Sequence, residues 1–473
     1  MKVAGVEITG MTADSRRVEP GMLFAAIPGT VADGRDYIDQ AVARGASVVL
    51  STPGLELGVP YVAADEPRLA YAELAAKLHP GRPETIVAMT GTNGKSSTVE
   101  FLRQIWSRTG HKAACFGTLG VTTERGVAPM SHTTPDAVQL HKTLSELAAK
   151  GVTHAAMEAS SHGLKQYRMH GVRPDVAGFS NLTQDHFDYH PTVEDYFDSK
   201  SKLFTELLPA GAPAVITVDD EAGQRLAEVC REIGHDVRTI GWGGADIRID
   251  EIIPRAASQG VTLVVGGKRY GLTLPLAGEF QALNAVCAVA LAVATGVDLN
   301  DAIMAAEMMT GVPGRLEPVG RTRDGSPVFV DFAHTEDGLD KLLRSVRPHT
   351  MGRIVCVFGC GGDRDATKRA PMGAAACRLA DSVIVTDDNP RSEAPAAIRA
   401  EVLAGCATVE GCGATEIGDR AAAIREGLSR LGQGDCLVIA GKGHEQGQIV
   451  GDTTIPFSDQ SEVRAALEEQ GHA

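Results

Sequence analysis

Several features of membrane and exported proteins are missing from this chain of 473 residues. No apolar run reaches the roughly 18 residues that a membrane-spanning helix needs. The amino-terminal segment MKVAGVEITGMTADSRR alternates like a short strand and lacks the apolar stretch of a signal peptide. We therefore expect a cytoplasmic protein that is not exported and has no segment inserted in a membrane.

Cysteines at the spacing of a disulfide framework or a zinc site are also missing. The nine cysteines are odd in number and scattered, and Cys356 and Cys360 do not have the spacing of a CxxC pair. This pattern predicts reduced thiols that serve mostly as small buried apolar side chains.

An excess of positive charge is the third absence. Lys and Arg number 45 against 60 Asp and Glu, which gives a formal net charge of −15. Because a negative surface repels phosphate backbones and anionic lipid, nucleic acid and membrane surfaces are poor partners. We expect a monomer that acts on small molecules and holds any anionic ligand with a local concentration of cations.

The composition that is present is that of an ordered globular protein, with 43% hydrophobic and 22% charged residues. At about 150 residues per domain, the length suggests three domains. Pro- and Gly-rich stretches at 79–83 and 311–315 place the boundaries, and the predicted domains are 1–82, 83–312 and 313–473.

The fold class follows from the alternation along the chain. Runs rich in β-branched residues, such as TIVAMT, RIVCVFG and CLVIAG, alternate with Ala- and Leu-rich segments of helical period. This rhythm predicts an α/β fold with parallel sheets and crossover helices. Residues 247–276 alternate like a small antiparallel meander inside the middle domain.

A strand, a glycine loop and a helix follow one another at 85–106. The strand pattern of 85–89 leads into Thr90-Gly91-Thr92-Asn93-Gly94-Lys95-Ser96-Ser97-Thr98 and then into a helical period. Glycines let backbone N–H groups face a phosphate, Lys95 reaches the terminal phosphates and Ser96 can ligate magnesium. Gly91 and Gly94 are closer together than in the usual phosphate loop, and the alternative is a glycine turn that binds no phosphate.

Two further segments carry carboxylates and histidines. Glu158 ends a strand-like run and precedes Ser160-Ser161-His162-Gly163, and Asp185-His186 follows a second short apolar run. The carboxyl ends of strands are where α/β sites collect, and magnesium favours carboxylate ligands. Taken one at a time, these residues would more often be surface charges or helix caps.

Together these motifs resemble the Mur ligases, which are ATP-dependent, ADP-forming enzymes that build the peptide stem of peptidoglycan. The resemblance covers nearly the whole chain in order. It implies three domains: an amino-terminal α/β domain that holds the UDP end of the substrate, a central ATPase with a parallel sheet, and a carboxyl-terminal Rossmann-like domain for the incoming amino acid.

Further motifs resemble the family members that add meso-diaminopimelate to UDP-N-acetylmuramoyl-L-alanyl-D-glutamate. They are Asp14-Ser15-Arg16, His132-Thr133-Thr134-Pro135, the segment 358–365, Asp388-Asn389-Pro390-Arg391 and Gly441-Lys442-Gly443-His444-Glu445. The alternatives are the same reaction with L-lysine or another amino acid, a folylpolyglutamate synthase, and a non-catalytic nucleotide-binding protein that kept the fold.

The resemblance implies a role for residues of the ATP and magnesium site. ATP is expected to contact Gly91, Thr92, Asn93, Gly94, Lys95, Ser96, Ser97, Asn284, Arg315, Asp331 and His334. Magnesium ligands are expected to be Ser96, Glu158, His186 and Lys200, the last as an N6-carboxylysine carbamate. Lys95, Glu158, His186 and Lys200 form the expected catalytic set. An exposed helical lysine is the alternative for Lys200, and Lys202 lies close by.

The resemblance also implies two substrate pockets. The UDP-muramoyl dipeptide is expected to contact Ser15, Thr133, Thr134, Ser161, Gln166 and Arg168. Diaminopimelate is expected to contact Arg364, Asp388, Asn389, Pro390, Arg391, Gly441 and Glu445. Discrimination against lysine needs a cation for the extra carboxylate, and the guanidinium of Arg391 can grip it bidentately.

Three positions depart from the family pattern around the nucleotide. Thr217 stands in place of an asparagine, Gln281 in place of the asparagine after a phenylalanine, and Phe332 in place of a tyrosine. These changes affect details of nucleotide contact and leave the reaction class unchanged.

Overall fold

The computed structural model describes residues 1–29, 32–130, 132–183 and 189–471. The chain forms two compact units. The first contains Met1–Ile247 and Val286–Ala302, and the second contains Arg248–Ala285 and Ile303–Ala473. These two units divide the chain at positions other than the predicted domain boundaries. The boundaries of the three predicted domains therefore stay a prediction.

The first unit begins with a short β-ribbon and a parallel sheet. The ribbon pairs β1 (Lys2–Val3) with β2 (Val6–Glu7), and the sheet has the order β3 (Met11–Thr12), β4 (Leu23–Ala25), β5 (Val48–Ser51), β6 (Tyr61–Ala63). Helix α1 (Ile38–Ala43) connects β4 to β5, and helix α2 (Pro67–Leu78) follows β6. Apolar side chains of the sheet and of α2 form the core of this part.

A larger parallel sheet follows in the same unit. Its strands are β7 (Thr85–Thr90), β8 (Ala113–Gly117), β9 (Gly120–Thr123), β10 (Gly126–Ala128), β11 (His154–Glu158), β12 (Val176–Phe179), β13 (Pro213–Thr217) and β14 (Asp236–Gly241). The order is β10-β9-β8-β11-β7-β12-β13-β14, parallel from β8 to β14, with β9 and β10 added as an antiparallel edge. Its helices are α3 (Lys95–Arg108), α4 (Ala137–Ala149), α5 (Ser161–Lys165), α6 (Val193–Lys202) and α7 (Glu221–Glu232).

The strand order of this sheet places a crevice beside β7. Strand β7 lies between β11 and β12, although both follow it in the chain with helices between them. The loops that leave the carboxyl ends of β7, β11 and β12 therefore open into one region, which is where open α/β sheets bind ligands.

The second unit contains an antiparallel meander and a mostly parallel sheet. The meander strands are β15 (Ile247–Arg255), β16 (Ser258–Val265) and β17 (Lys268–Leu274), and β16 pairs antiparallel with β17. The sheet contains β18 (Glu317–Arg321), β19 (Pro327–Asp331), β20 (Ile354–Phe358), β21 (Ser382–Val385), β22 (Thr415–Glu416) and β23 (Cys436–Ala440). Its order is β18-β19-β23-β20-β21-β22, with only β18 antiparallel.

The remaining elements complete the α/β pattern that the sequence predicts. A hairpin pairs β24 (Gly447–Val450) with β25 (Thr453–Pro456). The later helices are α8 (Glu279–Ala294), α9 (Leu299–Ala306), α10 (Glu336–Val346), α11 (Arg369–Leu379), α12 (Pro395–Cys406), α13 (Arg420–Ser429) and α14 (Asp459–Glu469). The central strands β20 and β23 are fully buried because helices cover the sheet, which explains their unbroken apolar runs.

One expectation about cysteines is wrong. Cys377, near the end of α11, forms a disulfide with Cys412, 35 residues further along the chain. The sequence spacing gave no sign of this pair, because packing of α11 against α12 and the loop that follows α12 brings the two cysteines together. The seven free cysteines are buried, as expected. Among the described residues, no helix is long and apolar enough to cross a membrane.

Candidate active site

The loop after β7 requires glycine at positions 91 and 94. Gly91 has φ 140° and Gly94 has φ 86°, both in the region that favours glycine. A Cβ atom at Gly91 would collide with the hydroxyl of Ser180, which follows β12. Gly94 then caps α3, which begins at Lys95, within the motif 90–98 and before the helical period that the sequence shows.

Two amides of the loop are already paired within the first unit. The N–H of Thr92 donates to the carbonyl oxygen of Asn181 over 2.8 Å, and the N–H of Asn93 donates to the Asn181 side-chain oxygen over 3.0 Å. The first turn of α3 contains Lys95, Ser96 and the buried Ser97, and it lies at the positive end of the helix dipole. A phosphate is therefore expected over that turn.

Two lysines converge on one backbone oxygen of the loop. The Lys95 ammonium donates to the carbonyl oxygens of Gly91 and Thr92 over 2.9 and 2.8 Å. The Lys200 ammonium, on α6, donates to the same Gly91 oxygen over 2.7 Å and lies 4.2 Å from the centre of the Tyr196 ring. Lys200 is 2% exposed, so it is not the exposed helical lysine of the alternative interpretation.

Glu158 lies at the end of β11 among oxygen and nitrogen donors. Ser96 donates its hydroxyl to one carboxylate oxygen over 2.8 Å, and the Thr118 N–H donates to the same oxygen over 2.8 Å. The Thr118 hydroxyl donates to the other oxygen over 3.2 Å and lies 3.1 Å from the Thr133 hydroxyl. The structure thus brings Ser96 and Glu158 together, as the motifs predict, and adds Thr118.

This donor set fits magnesium. A hydroxyl and a buried carboxylate oxygen, 2.8 Å apart beside a phosphate loop, are hard oxygen ligands of the kind that Mg²⁺ takes. An unmodified Lys200 is a cation, and only its carbamate would join that set. The expected ligand His186 lies outside the described residues. Among the described residues, no group of three or more His, Cys, Asp or Glu side chains could hold a metal.

A hydrogen-bonded chain extends from Ser161. Its hydroxyl lies 3.0 Å from Nε2 of the buried His190, whose Nδ1 lies 2.7 Å from Asp195. Lys165 also donates to Asp195, over 2.7 Å. Burial lowers the pKa of His190, opposed by Asp195, so a neutral imidazole is favoured. Motif spacing did not identify His190 and Asp195 as partners.

A cavity of about 280 Å³ opens in the first unit beside two expected substrate residues. Gln166 and Arg168 line it, and Arg168 donates to Gln166 over 2.7 Å and to the Thr134 carbonyl over 2.8 Å. Arg17 and Arg68 add two more guanidiniums to the wall. Burial and the nearby Arg68 lower the pKa of Arg168, and Asp136, which also lines the cavity, opposes them.

Two other residues expected to contact this substrate, Ser15 and Thr134, form their own hydrogen bonds in the first unit. The hydroxyl of Ser15 donates to Gln40 over 2.8 Å. Thr134 is buried and donates to the Glu158 carbonyl oxygen over 2.9 Å, which ties the Thr133-Thr134 segment to the end of β11.

In the second unit, the expected nucleotide residues form one network. Asn284 donates to the side chain of Gln281 over 3.1 Å, and Gln281 donates to the Arg315 carbonyl over 2.8 Å. Gln281, one of the departures, thus links Asn284 to Arg315. Asp331 accepts from the Leu316 N–H over 2.6 Å, and burial raises its pKa against the effect of Arg315.

One cation–π contact and one hydrogen-bond contact to the Phe332 backbone complete this network. The Arg315 guanidinium lies 5.1 Å from the centre of the Phe332 ring, and His334 is 2.9 Å from the Phe332 carbonyl oxygen. Phe332, another departure, therefore gives Arg315 a face to stack on without a hydroxyl. The third departure, Thr217, is a buried residue at the end of β13 in the first unit, and nothing in the structure explains it.

The segment from Asp388 to Arg391 is held by the hairpin β24–β25. The N–H of Arg391 donates to the Ile449 carbonyl over 3.0 Å, and the Gln448 side chain donates to the Asp388 carbonyl over 2.7 Å. Arg391 has φ 51° and its guanidinium donates to the Gly362 carbonyl over 2.7 Å. Such a left-handed arginine is costly by about 1–3 kcal/mol, and strain of that kind collects at functional sites.

The other members of the expected diaminopimelate set differ in exposure. Pro390 is buried beside Arg391, and Arg364 is exposed on the segment that follows Gly362. Gly441 has φ 114°, and a Cβ atom there would lie 2.7 Å from the Asp388 carboxylate. Gly441 is thus required by the close approach of Asp388.

A buried lysine joins Asn389 and Glu445. Lys442 is fully buried and donates to Asn389 Oδ1 over 3.0 Å and to Glu445 over 2.9 Å. Asn389 also donates to Glu445 over 2.9 Å. Burial acts to raise the pKa of Glu445, but the hydrogen bonds from Asn389 and Lys442 outweigh it and hold that pKa below its usual value.

Three family profiles match successive parts of the chain. They are the Mur ligase family catalytic domain at 7–85, the Mur ligase middle domain at 89–292 and the Mur ligase glutamate ligase domain at 314–443. The chain belongs to the Mur ligase family. The resemblance on which the ATP, magnesium and substrate expectations depend is therefore confirmed, and this Mur ligase has the α/β fold with a parallel central sheet that it implied.

Individual relatives match almost the full length of this Mur ligase. A protein of Rhizobium meliloti, named UDP-N-acetylmuramoyl-L-alanyl-D-glutamate–2,6-diaminopimelate ligase, is 52% identical and the match covers 98% of this chain and 95% of the relative. A solved structure of a ligase with the same name is 33% identical, with a TM-score of 0.76 and coverage of 98% and 96%. A MurF ligase from Thermotoga maritima, solved in complex with ADP, is 17% identical with a TM-score of 0.64 and covers 99% of each chain, which shows the fold alone.

Sequence reasoning missed several residues that the Mur ligase geometry brings to the site. In the first unit they are Thr118, Asn181, His190, Asp195, Arg17 and Arg68, and in the second unit Lys442. Lys442 lies in the motif 441–445, between the expected pocket residues Gly441 and Glu445. That position was the signal in the sequence that could have identified it. The others come from contacts distant in sequence, which no local pattern reveals.

Proposed function

We propose that this Mur ligase joins meso-diaminopimelate to UDP-N-acetylmuramoyl-L-alanyl-D-glutamate, with ATP converted to ADP and phosphate. The observation that carries the proposal is 52% identity, over nearly the whole chain, to a ligase whose name states that reaction. The segment Asp388-Asn389-Pro390-Arg391 supports the choice of amino acid, because the resemblance associates its arginine with diaminopimelate.

The chemistry proceeds in two displacements. A carboxylate oxygen of D-glutamate attacks the γ-phosphorus of ATP, and ADP leaves to give an acyl phosphate. The amine of diaminopimelate then attacks the acyl carbon, loses a proton and expels phosphate. A carboxylate is a poor acyl donor at neutral pH, and phosphorylation converts one of its oxygens into a good leaving group. Catalysis consists mostly of positioning and of offsetting crowded negative charge.

The first unit would supply the groups for the phosphates. Lys95 and the first turn of α3 hold the β- and γ-phosphates, and the loop residues Gly91 to Ser97 shape that contact. Lys200 is proposed to act as a carbamate, which would turn a buried cation into an anion beside the glycine loop. With Ser96, Glu158 and His186 as ligands, Mg²⁺ would neutralise charge on the phosphate oxygens.

The cavity of the first unit would receive part of the UDP-muramoyl dipeptide. Gln166 and Arg168 line it, and Ser15, Thr133, Thr134 and Ser161 are proposed to complete the contacts. The proposal is supported by the guanidiniums gathered there, because this substrate carries a diphosphate and carboxylates. It follows that a chain of net charge −15 holds this anion through local cations.

The second unit would supply nucleotide and amino-acid contacts. Asn284, Arg315, Asp331 and His334 are proposed for ATP. Arg364, Asp388, Asn389, Pro390, Arg391, Gly441 and Glu445 are proposed for diaminopimelate, with Glu445 facing its distal ammonium. We also propose that the protein is a cytoplasmic monomer with one domain each for the UDP end, ATP and the amino acid, at 1–82, 83–312 and 313–473.

L-Lysine is the alternative acceptor. It lacks the second carboxylate, so Arg391 would have no anion to bind. The proposed reaction is tested by measuring ADP formation while one component is omitted at a time. The four components are ATP, Mg²⁺, the UDP-muramoyl dipeptide and diaminopimelate. Formation of ADP at the full rate without the dipeptide would overturn it.

A further inference from the structure

A group of buried charges lies behind the Asp388–Arg391 segment in the second unit. Asp388 and Asp459 are buried, Glu445 is half-buried, and the cations Arg420 and Lys442 are fully buried. Three carboxyl groups therefore share two cations. Arg420 donates both to Asp459, over 2.7 and 2.8 Å, and to the Ala440 carbonyl at the end of β23, over 3.0 Å.

Lys442 is the cation of this group that contacts the expected amino-acid pocket. Its ammonium bonds two residues of that pocket, the Asn389 oxygen over 3.0 Å and the Glu445 carboxylate over 2.9 Å. The Ile449 N–H, on the hairpin, donates to the same Asn389 oxygen over 3.0 Å. The ammonium thus fixes the orientation of the Asn389 amide, whose nitrogen must then point at Glu445.

We propose that Lys442 is a positioning residue for the incoming amino acid. It fixes the orientation of Asn389 and maintains the negative charge of Glu445, which together receive the distal ammonium of diaminopimelate. This inference rests on the proposed function. Lys442 itself stays behind the pocket and contacts no substrate.

Removing the Lys442 charge changes Glu445 in a way that can be measured. The groups that face Glu445 are Asn389, Lys442 and His444, with Asp388 and Arg420 further away. Asn389 and Lys442 hold the Glu445 pKa down against burial, so without the ammonium that pKa rises. Glu445 then takes up a proton at a higher pH than in the unaltered protein, and a neutral carboxyl group binds an ammonium weakly.

The test is the variant Lys442→Met, which keeps the length of the side chain and removes its charge. We expect the KM for diaminopimelate to rise by about tenfold to a hundredfold, the range for the loss of a hydrogen bond to a charged group. The KM for ATP and kcat are expected to stay unchanged. The KM for diaminopimelate is also expected to climb further as the pH is lowered, starting at a higher pH than in the unaltered enzyme.

Two variants separate positioning from general damage. Lys268→Met removes an exposed lysine of the meander and is expected to leave every constant unchanged. Glu445→Gln is expected to raise the KM for diaminopimelate at every pH, and adding Lys442→Met to it is expected to change the KM little further. If Lys442→Met does not fold, Lys442→Gln, which removes the charge but can still donate to Asn389, tests the effect of that charge on Glu445 through the pH dependence of the KM.

The outcomes distinguish this inference from the proposed function. If the unaltered enzyme forms no product with diaminopimelate, the proposed function fails. If it does, and Lys442→Met or Lys442→Gln leaves the KM for diaminopimelate and its pH dependence unchanged, the positioning role is wrong. A fall in kcat and a rise in the KM for ATP as large as the rise in the KM for diaminopimelate would also overturn it. Such a general effect would mark Lys442 as a structural residue alone.

Discussion

Lys95 and Lys200 donate hydrogen bonds to the same acceptor, the carbonyl oxygen of Gly91, over 2.9 and 2.7 Å. One lysine opens the helix after the glycine loop, and the other comes from α6, about a hundred residues later. Two ammonium groups on one oxygen concentrate positive charge where the phosphates of ATP are expected. Carbamylation of Lys200 would reverse the sign of one of them, which makes this pair a sensitive point of the proposed mechanism.

Lys200→Ala is expected to abolish ligase activity, with partial recovery when a small carboxylate such as acetate is added to the buffer. The added anion would replace the carbamate beside the glycine loop. The measurement is the rate of ADP formation with and without the carboxylate. Lys202→Ala, which removes a neighbouring lysine paired with Glu206, is the matched control and is expected to keep its activity. A nearly normal rate for Lys200→Ala would exclude the role.

Gly91→Ala is expected to lose ATP-dependent activity, because its Cβ atom would collide with the Ser180 hydroxyl at a φ of 140°. Destabilisation of about 1–3 kcal/mol is expected from backbone strain alone. Gly110→Ala is the matched control, since Gly110 also has a positive φ but open space around it. Urea unfolding and the ADP assay measure the two effects. Equal behaviour of both variants would contradict the importance of the close approach.

Ser96→Ala is expected to raise the Mg²⁺ concentration needed for half-maximal activity by about fivefold or more, as a lost hydroxyl ligand next to Glu158 implies. Titration of the rate with Mg²⁺ at saturating ATP gives the value. Ser429→Ala, which removes an exposed serine from the end of α13, serves as the control. An unchanged Mg²⁺ requirement would remove Ser96 from the proposed ligand set.

Arg391→Ala is expected to raise the KM for diaminopimelate by an amount equivalent to about 1.5–3 kcal/mol, with little change in the KM for ATP. The guanidinium would bind the distal carboxylate, which lysine lacks, so the preference for diaminopimelate over lysine is also expected to fall. Arg378→Ala, an exposed arginine paired with Glu336, is the comparison variant. An unchanged KM for diaminopimelate would place Arg391 outside the pocket.

Local sequence pattern predicted the strand, glycine loop and helix at 85–106 and the end of β11 at Glu158, because alternation and glycine positions are local properties. The Mur ligase resemblance then supplied roles for residues far apart in the chain. What neither could predict was the partner of each group. Thr118 at Glu158, His190 at Ser161 and Lys442 at Asn389 are set by packing, and so is the Cys377–Cys412 disulfide.

The most direct test of the proposed function compares diaminopimelate with L-lysine in one assay of ADP formation, with ATP, Mg²⁺ and UDP-N-acetylmuramoyl-L-alanyl-D-glutamate present throughout. ADP and phosphate are expected to form with diaminopimelate and to stay at the background level with lysine or with no amino acid. Turnover with lysine equal to that with diaminopimelate would contradict the specificity assigned to Arg391 and Glu445.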